Sequence, residues 1–230
     1  RVRVVTHCHA FGRRHAGEPT LAGMARPVPT LDTEHALFAD GARIVVGIDE
    51  VGRGAIAGPV TVGAVALDAG CGPFPEGLAD SKLLTPRRRE AMAPLVRGWA
   101  LACATGWASA AEIDRHGIVS ALGLAASRAL AGLGAVADVL IVDGNTPFLL
   151  EEPGGPRVLL RVKADQDCAS VAAASVVAKV ERDELMGRLH ADHPHYGWES
   201  NKGYGAAVHT AAIRTHGTTE HHRTSWNLGI

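Results

Sequence analysis

The apolar runs of this chain are short, and each is stopped by a turn or a carboxylate. Ile44-Val45-Val46 leads into Gly47-Ile48-Asp49-Glu50, and Val139-Leu140-Ile141-Val142 closes on Asp143. Val158-Leu159-Leu160-Arg161-Val162-Lys163 ends just before Asp165. Short runs of this kind, rich in β-branched residues and bounded by glycine, predict buried strands. Strands are expected over 43–49, 59–67, 99–107, 138–143 and 157–163, the first two forming a hairpin across a glycine turn. Helical stretches lie between and after them. Thr85 as N-cap and Pro86 at the first position predict a helix over 87–98. Further helices are expected over 117–134, 169–190 and 206–216. The helix over 169–190 is crowded with Ala and Ser on its first turns, so it can pack close against a sheet. Strands alternating with helices give an α/β fold. At 230 residues, 47% hydrophobic, the chain can bury one sizeable core.

A formal net charge of −1 does not suit a general polyanion binder, so any nucleic-acid contact must come from a local patch. Aromatics make up 4% of the residues, too few for a broad base-stacking platform. Cys8, Cys71, Cys103 and Cys168 form no C-x-x-C pair and read as free thiols of a reducing cytoplasm. No apolar run reaches the roughly 18 residues of a membrane span, and no secretory signal pattern is visible. Residues 1–40 look unlike the rest. His7-Cys8-His9 lacks further ligands at useful spacing, and Met24 is followed by a plausible natural beginning. This stretch is expected to be a disordered or non-native extension. The fold and function are expected in residues 41–230, with a helical segment at the C-terminal end.

The chemistry concentrates at Asp49-Glu50, followed at once by Gly52-Arg53-Gly54. Two carboxylates at a strand end attract a divalent cation, and a backbone without side chains can approach a phosphate closely. Successive strand residues face opposite ways, so Asp49 and Glu50 share a site only where the strand ends or twists. Asp143 and Asp165 bring carboxylates from two further strand ends. Singly, each acid is an ordinary turn or cap residue. Together they fit a two-metal site, which needs hard oxygen ligands around ions about 3.5–4 Å apart. Lys82, Lys179, Lys202 and Arg223 are candidate phosphate contacts. The histidines at 190, 193, 195 and 209 show no ligand spacing, and His221 and His222 carry no assigned role.

In this order the blocks resemble the type 2 ribonucleases H. The resemblance covers roughly residues 43 to 226. It rests on Gly47 to Gly54 with Ala57-Gly58-Pro59-Val60, on Asp80-Ser81-Lys82 with Leu84-Thr85, and on Val142-Asp143-Gly144-Asn145. Lys163-Ala164-Asp165 with Ala173 to Asp183, Asn201-Lys202-Gly203-Tyr204-Gly205 and His222-Arg223-Thr224-Ser225 complete it. It implies a ribonuclease H-like mixed sheet flanked by helices. It implies an endonuclease, using Mn²⁺ or Mg²⁺, that cuts the RNA strand of RNA–DNA hybrids. It also implies incision 5′ to single ribonucleotides in duplex DNA, leaving 3′-hydroxyl and 5′-phosphate ends. The family's four acids fall on Asp49, Glu50, Asp143 and Asp165. Its ribonucleotide-gripping Gly-Arg-Gly falls on Gly52, Arg53 and Gly54, and its junction-stacking tyrosine on Tyr204. A cytoplasmic monomer with no membrane contact is expected.

Two positions depart from the family pattern. Ala164 stands where glycine is usual. If that position needs positive φ, alanine costs about 1 kcal/mol and could shift Asp165, leaving Asp167 as the fallback ligand. Trp226 replaces the usual phenylalanine, a packing change. Rival readings are a type 1 or type 3 ribonuclease H, a non-catalytic hybrid binder, and a structural Ca²⁺ protein. The Gly-Arg-Gly disfavours the first, the full set of acids the second, and the lack of EF-hand spacing the third.

Overall fold

The computed structural model describes residues 28–149 and 151–230. The expected strands form as β1 (Ile44–Val51), β2 (Val60–Asp68), β3 (Ala102–Ala108), β4 (Val139–Asp143) and β5 (Arg157–Arg161). They make one mixed sheet in the order β3-β2-β1-β4-β5. β1 and β2 are the expected hairpin, and β3 pairs antiparallel with β2. β4 lies parallel to β1, and β5 parallel to β4.

Helices cover both faces. On one, α4 (Ile118–Gly132) buries Ala121, Leu122 and Ala125 against Val46, Ile48 and Val142. On the other lie α2 (Pro86–Trp99) and α6 (Ala169–Asp192). The Thr85 side chain accepts from the Arg88 N–H, as its N-cap position predicts. The small residues of α6 bring it close to β1. A Cβ on Gly47 would sit 2.3 Å from the Ser170 carbonyl carbon, so only glycine permits this approach.

Helix α3 (Ala110–His116) was not expected. Its signal is the capping box Ser109-x-x-Glu112, in which each side chain meets the other's backbone N–H. The remaining helices are the short α5 (Ala164–Asp167) and α7 (Trp198–Asn201), with α8 (Ala207–His216) near the C-terminal end. A small core of Tyr196, Trp198, Ala212 and Ile213 joins these last helices to Ile56 and Met186.

The expectation for residues 1–40 needs correction over its last part. Residues 1–27, with His7-Cys8-His9, lie outside the described residues. Residues 32–39 form helix α1 (Asp32–Ala39), which packs Leu37 into the core with Val45 and Val171. Glu34 is fully buried, and its Oε1 accepts from the Ser170 N–H at 2.9 Å and the Ser170 hydroxyl at 2.6 Å. Thr30 pairs with the backbone on both sides of Cys168. This stretch therefore braces the start of α6 and the turn that carries Asp165.

Candidate active site

Strand parity places the acids. Val45 and Gly47 face α6, so Asp49 does too. Ile48 pairs with Val142 across the parallel ladder, and the next residues along are Asp49 and Asp143. Val139 and Ile141 face the same side as Val45, and Asp143 continues that row. Asp165 reaches the same place from α5, a helical turn after β5 has ended, rather than from a strand end. Glu50 rises from the opposite parity. It shares the cleft because β1 finishes one residue later and the chain turns at Gly52. Asp49, Glu50, Asp143, Lys82, Lys179 and Tyr204 all line a cleft of about 260 Å³.

The acids crowd one another. Asp49 is 5% exposed, and its pKa lies well above the usual aspartate range. Burial is the main cause, and the charges of Glu50, Asp143 and Asp165 add to it. Burial also raises Glu50, against the opposing pull of Arg53. Asp143 is raised by burial and by Asp165, against the pull of the Ala164 and Asp165 backbone N–H groups. Its Oδ1 is buried without a hydrogen-bond partner. Arg53 faces Glu50, and Lys82 stands among the other acids, its Nζ 3.0 Å from Asp165 Oδ2 and 3.9 Å from Asp80 Oδ1. Burial works against that ammonium, but the Asp165 hydrogen bond and the Asp49 and Asp80 charges outweigh it, so its pKa rises.

This donor set fits a divalent metal. It offers hard carboxylate oxygens, one of them orphaned, in a place where negative charge is under-compensated. The side chains are not drawn into a cage. Among the described residues, no three His, Cys, Asp or Glu groups are gathered closely enough to hold an ion as they stand.

The two glycines flanking Arg53 serve different ends. Gly52 has φ +81°, and a Cβ there would lie 2.1 Å from Arg182 Nε. Gly54 has nothing within 4 Å of an added Cβ, so its bare backbone opens onto free space. Arg53 reaches Glu50 Oε1 at 3.4 Å and Thr146 Oγ1 at 3.2 Å. Tyr204 is 39% exposed at the cleft.

The family model described as Ribonuclease HII matches residues 46–228. The chain belongs to the ribonuclease HII family. It is 50% identical over 203 residues to the ribonuclease HII of Streptomyces griseus, covering 86% of this chain and 84% of that one. The ribonuclease HII of Paracoccus denitrificans is 48% identical over 202 residues, covering 86% and 91%. Among solved structures, ribonuclease H2 from Pyrococcus horikoshii superposes with a TM-score of 0.66 at 24% identity, covering 80% of this chain and 94% of that one. The ribonuclease HII of a PCNA complex from Archaeoglobus fulgidus gives 0.63 at 26%, covering 80% and 95%. The expected ribonuclease H-like fold is thus present. As a ribonuclease HII, the protein is a metal-dependent endoribonuclease acting on RNA–DNA hybrids. Among the described residues, no helix is long and apolar enough to cross a membrane.

Several expected site residues sit differently from their sequence reading. Arg223 is fully buried and does not face the cleft. Its guanidinium donates to the carbonyls of Gly52 (2.7 Å), Arg53 (2.8 Å) and Gly58 (3.0 Å), so it holds the glycine loop from behind. Trp226, the departure from phenylalanine, lies with its ring 4.9 Å under that guanidinium. Lys202 points its Nζ toward the Asp183 carbonyl at 3.4 Å, in an adjoining groove. Lys179 borders both spaces and pairs with Asp183 at 2.5 Å. The feared strain at Ala164 is absent. The left-handed residue is its neighbour Lys163, at φ +62°, while Ala164 begins α5. Asp167 turns away to Arg161, at 3.0 Å.

Two features escaped the sequence. Asp80 is 2% exposed, and burial raises its pKa beside Asp165 and Lys82. Its side chain accepts from the Lys82 N–H at 3.0 Å, which fixes the turn that aims Lys82. The second is the buried pair His209 and His222, packed with Tyr196 and Trp198. Burial, with His209, His221 and His193 nearby, brings His222 down to about 4 from 6.5. The folded protein therefore resists a proton that the unfolded chain accepts. The stability this carries is complete above about pH 6.5 and is lost as pH falls toward about 4. Equilibrium unfolding of His222→Gln beside the parent should show a flatter loss of stability across that window. Parallel curves would refute the assignment.

Proposed function

We infer that this ribonuclease HII incises duplex DNA 5′ to an embedded ribonucleotide, besides cutting the RNA of hybrids, and that two Mg²⁺ or Mn²⁺ ions serve it. The observation that carries this reading is that the open Gly54 backbone and Tyr204 line the same cleft as Asp49, Glu50 and Asp143. Asp49, Glu50, Asp143 and Asp165 would hold the metal. When bound, the metal supplies Lewis-acid polarisation of the phosphate and a water of lowered pKa.

The chain's own groups do the rest. Asp49 and Asp143, side by side on rigid strands, fix where the scissile phosphate is presented. The Gly52–Gly54 backbone receives the 2′-hydroxyl, the one group that separates a ribonucleotide from a deoxynucleotide locally. Arg53 lies over the cleft edge and meets the phosphate. Tyr204 offers a stacking face to the nucleotide at the RNA-to-DNA junction. Lys82 and Lys179 offset phosphate charge, and Lys82 would release Asp165 to serve as a metal ligand. The products carry a 3′-hydroxyl and a 5′-phosphate. We further assign the protein to the cytoplasm as a monomer.

The test is a DNA duplex carrying one ribonucleotide, incubated with Mg²⁺ or Mn²⁺. Cutting 5′ to the ribonucleotide, with none on all-DNA duplex, is the expected result. Cutting of long hybrids alone would keep the nuclease and reject the junction role. The glycines give a second, sharper prediction. Gly54→Val should fold and melt like the parent yet lose on the order of tenfold in kcat/KM, because its side chain occupies the space meant for the nucleotide. Gly52→Ala should instead lose roughly 2–4 kcal/mol of stability, from positive φ and the clash with Arg182. Equal melting losses in both variants would remove the distinction.

A further inference from the structure

The hydrogen bonds around His209 permit one assignment of its protons. Trp198 Nε1–H can only donate, and it points at His209 Nε2 from 3.0 Å. His209 Nε2 is therefore the bare nitrogen. The proton sits on Nδ1, which lies 2.8 Å from the carbonyl oxygen of Tyr204 and donates to it. His222 closes the chain from the other side. The Thr219 backbone N–H donates to His222 Nδ1 at 2.9 Å, so that nitrogen is bare too. His222 then carries its proton on Nε2, 3.2 Å from His209 Nε2, where it is the second donor to that atom. All these bonds are compatible with two neutral rings, and both rings are buried. No other pair of tautomers satisfies every contact.

The relay ends on the peptide that bears the cleft tyrosine. The segment around it is held at further points: the Gly203 carbonyl accepts from the Ile56 and Ala57 N–H groups, and the Lys202 carbonyl from Arg182. Those bonds fix the residues before Tyr204. Within the tyrosine's own peptide unit, the carbonyl has two donors, the nearby Ala206 N–H at 2.8 Å and His209. His209 is the donor that ties it to the buried core of Trp198 and His222.

We propose that His209, held in its Nδ1–H tautomer by Trp198 and His222, is a positioning residue that sets Tyr204 against the nucleotide at the scissile junction. The proposal rests on the reading of Tyr204 as a substrate contact. It explains why a histidine pair with no access to the cleft sits between the substrate loop and the C-terminal segment.

The test uses the full chain and the duplex with one ribonucleotide. An asparagine amide can occupy the Nδ1 position and keep the bond to Tyr204, whereas a glutamine amide reaches the Nε2 position and cannot. His209→Gln should therefore lose about tenfold in kcat with KM changed less than about twofold, and His209→Asn should recover most of that loss. Tyr204→Ala should lose at least as much as His209→Gln, and the double variant should be no worse than Tyr204→Ala alone. A full His209→Gln loss on top of Tyr204→Ala would overturn the proposal, because the histidine would then act by another route. So would an impaired Tyr204→Ala beside an unimpaired His209→Gln. Wild-type kinetics in Tyr204→Ala would reject the substrate contact itself, and the proposal with it. Imidazole ¹⁵N shifts in the parent protein give an independent reading that needs no variant. Nδ1–H on His209 with Nε2–H on His222 is expected, and the reverse pair on either ring overturns the assignment.

Discussion

Asp49→Asn will abolish turnover and at the same time make the metal-free protein harder to melt. The first effect follows from the loss of a charged oxygen from the group of acids that would hold the metal. Metal stabilisation of a phosphoryl transition state is worth several kcal/mol, so the loss should be on the order of a thousandfold or more in kcat. The second effect follows from burial. Asp49 is 5% exposed with Glu50, Asp143 and Asp165 around it, and burial followed by their repulsion raises its pKa. A raised carboxylate pKa means that ionised Asp49 opposes folding at neutral pH. The neutral amide removes that charge, and a gain of about 1–2 kcal/mol is expected, or a few degrees in Tm. Melting both proteins in EDTA and then with excess Mg²⁺ or Mn²⁺ separates the terms. The parent should gain more from the metal than the variant, since a ligand that binds only the folded state stabilises it by mass action. An Asp49→Asn protein that melts lower in EDTA would show that the carboxylate supports the fold, and the strained-site account would fall.

The sheet and its main helices were legible because they follow local rules. Apolar runs bounded by glycine gave all five strands to within a few residues, and Thr85-Pro86 gave the start of α2. Asp49, Glu50 and Asp143 were legible because carboxylates at the ends of buried strands stand out, whereas Asp165 was read as a strand-end acid although the short helix α5 carries it after the largely exposed β5. The residues that the sequence misplaced are those whose partner is distant backbone. Glu34 falls in the stretch expected to be an extension, yet it is buried because Ser170, 136 positions away, presents an N–H and a hydroxyl to it. Arg223 reads as a surface phosphate contact, yet its donors close on carbonyls some 170 positions away. Asp80 and His209 are similar, since neither spacing nor periodicity says what a side chain will meet across the fold. The condition set on Ala164, a positive φ, is not met. The left-handed residue is Lys163, one position earlier.

Arg223 is where that distant bonding carries the greatest weight. It and Arg182 are both fully buried, and neither makes an ion pair among the described residues. Arg182 donates to the carbonyls of Pro59, Ala57 and Lys202, and Arg223 to those of Gly52, Arg53 and Gly58. Burial and the charge of Arg182 bring the Arg223 pKa down to about 9. Two such cations behind one loop join the glycine turn to the Tyr204 segment as a single rigid unit. Replacing Arg223 with methionine keeps the apolar stem and removes the guanidinium donors from the carbonyls of Gly52, Arg53 and Gly58, of which Gly52 keeps only the Ala55 N–H at 3.2 Å. The expected loss is about 3–5 kcal/mol, or roughly 10 °C in Tm. Lysine should recover little, because one ammonium cannot span the positions that a planar fork reaches. Thermal melts of Arg223→Met and Arg223→Lys, with kcat/KM on the ribonucleotide duplex, test both claims. A lysine variant with parental melting and parental kcat/KM would mean that charge alone suffices and that the fork geometry does not hold the loop. The expected pattern is the reverse: kcat/KM falls in both variants, since the Gly52–Gly54 backbone that receives the ribonucleotide is no longer held from behind.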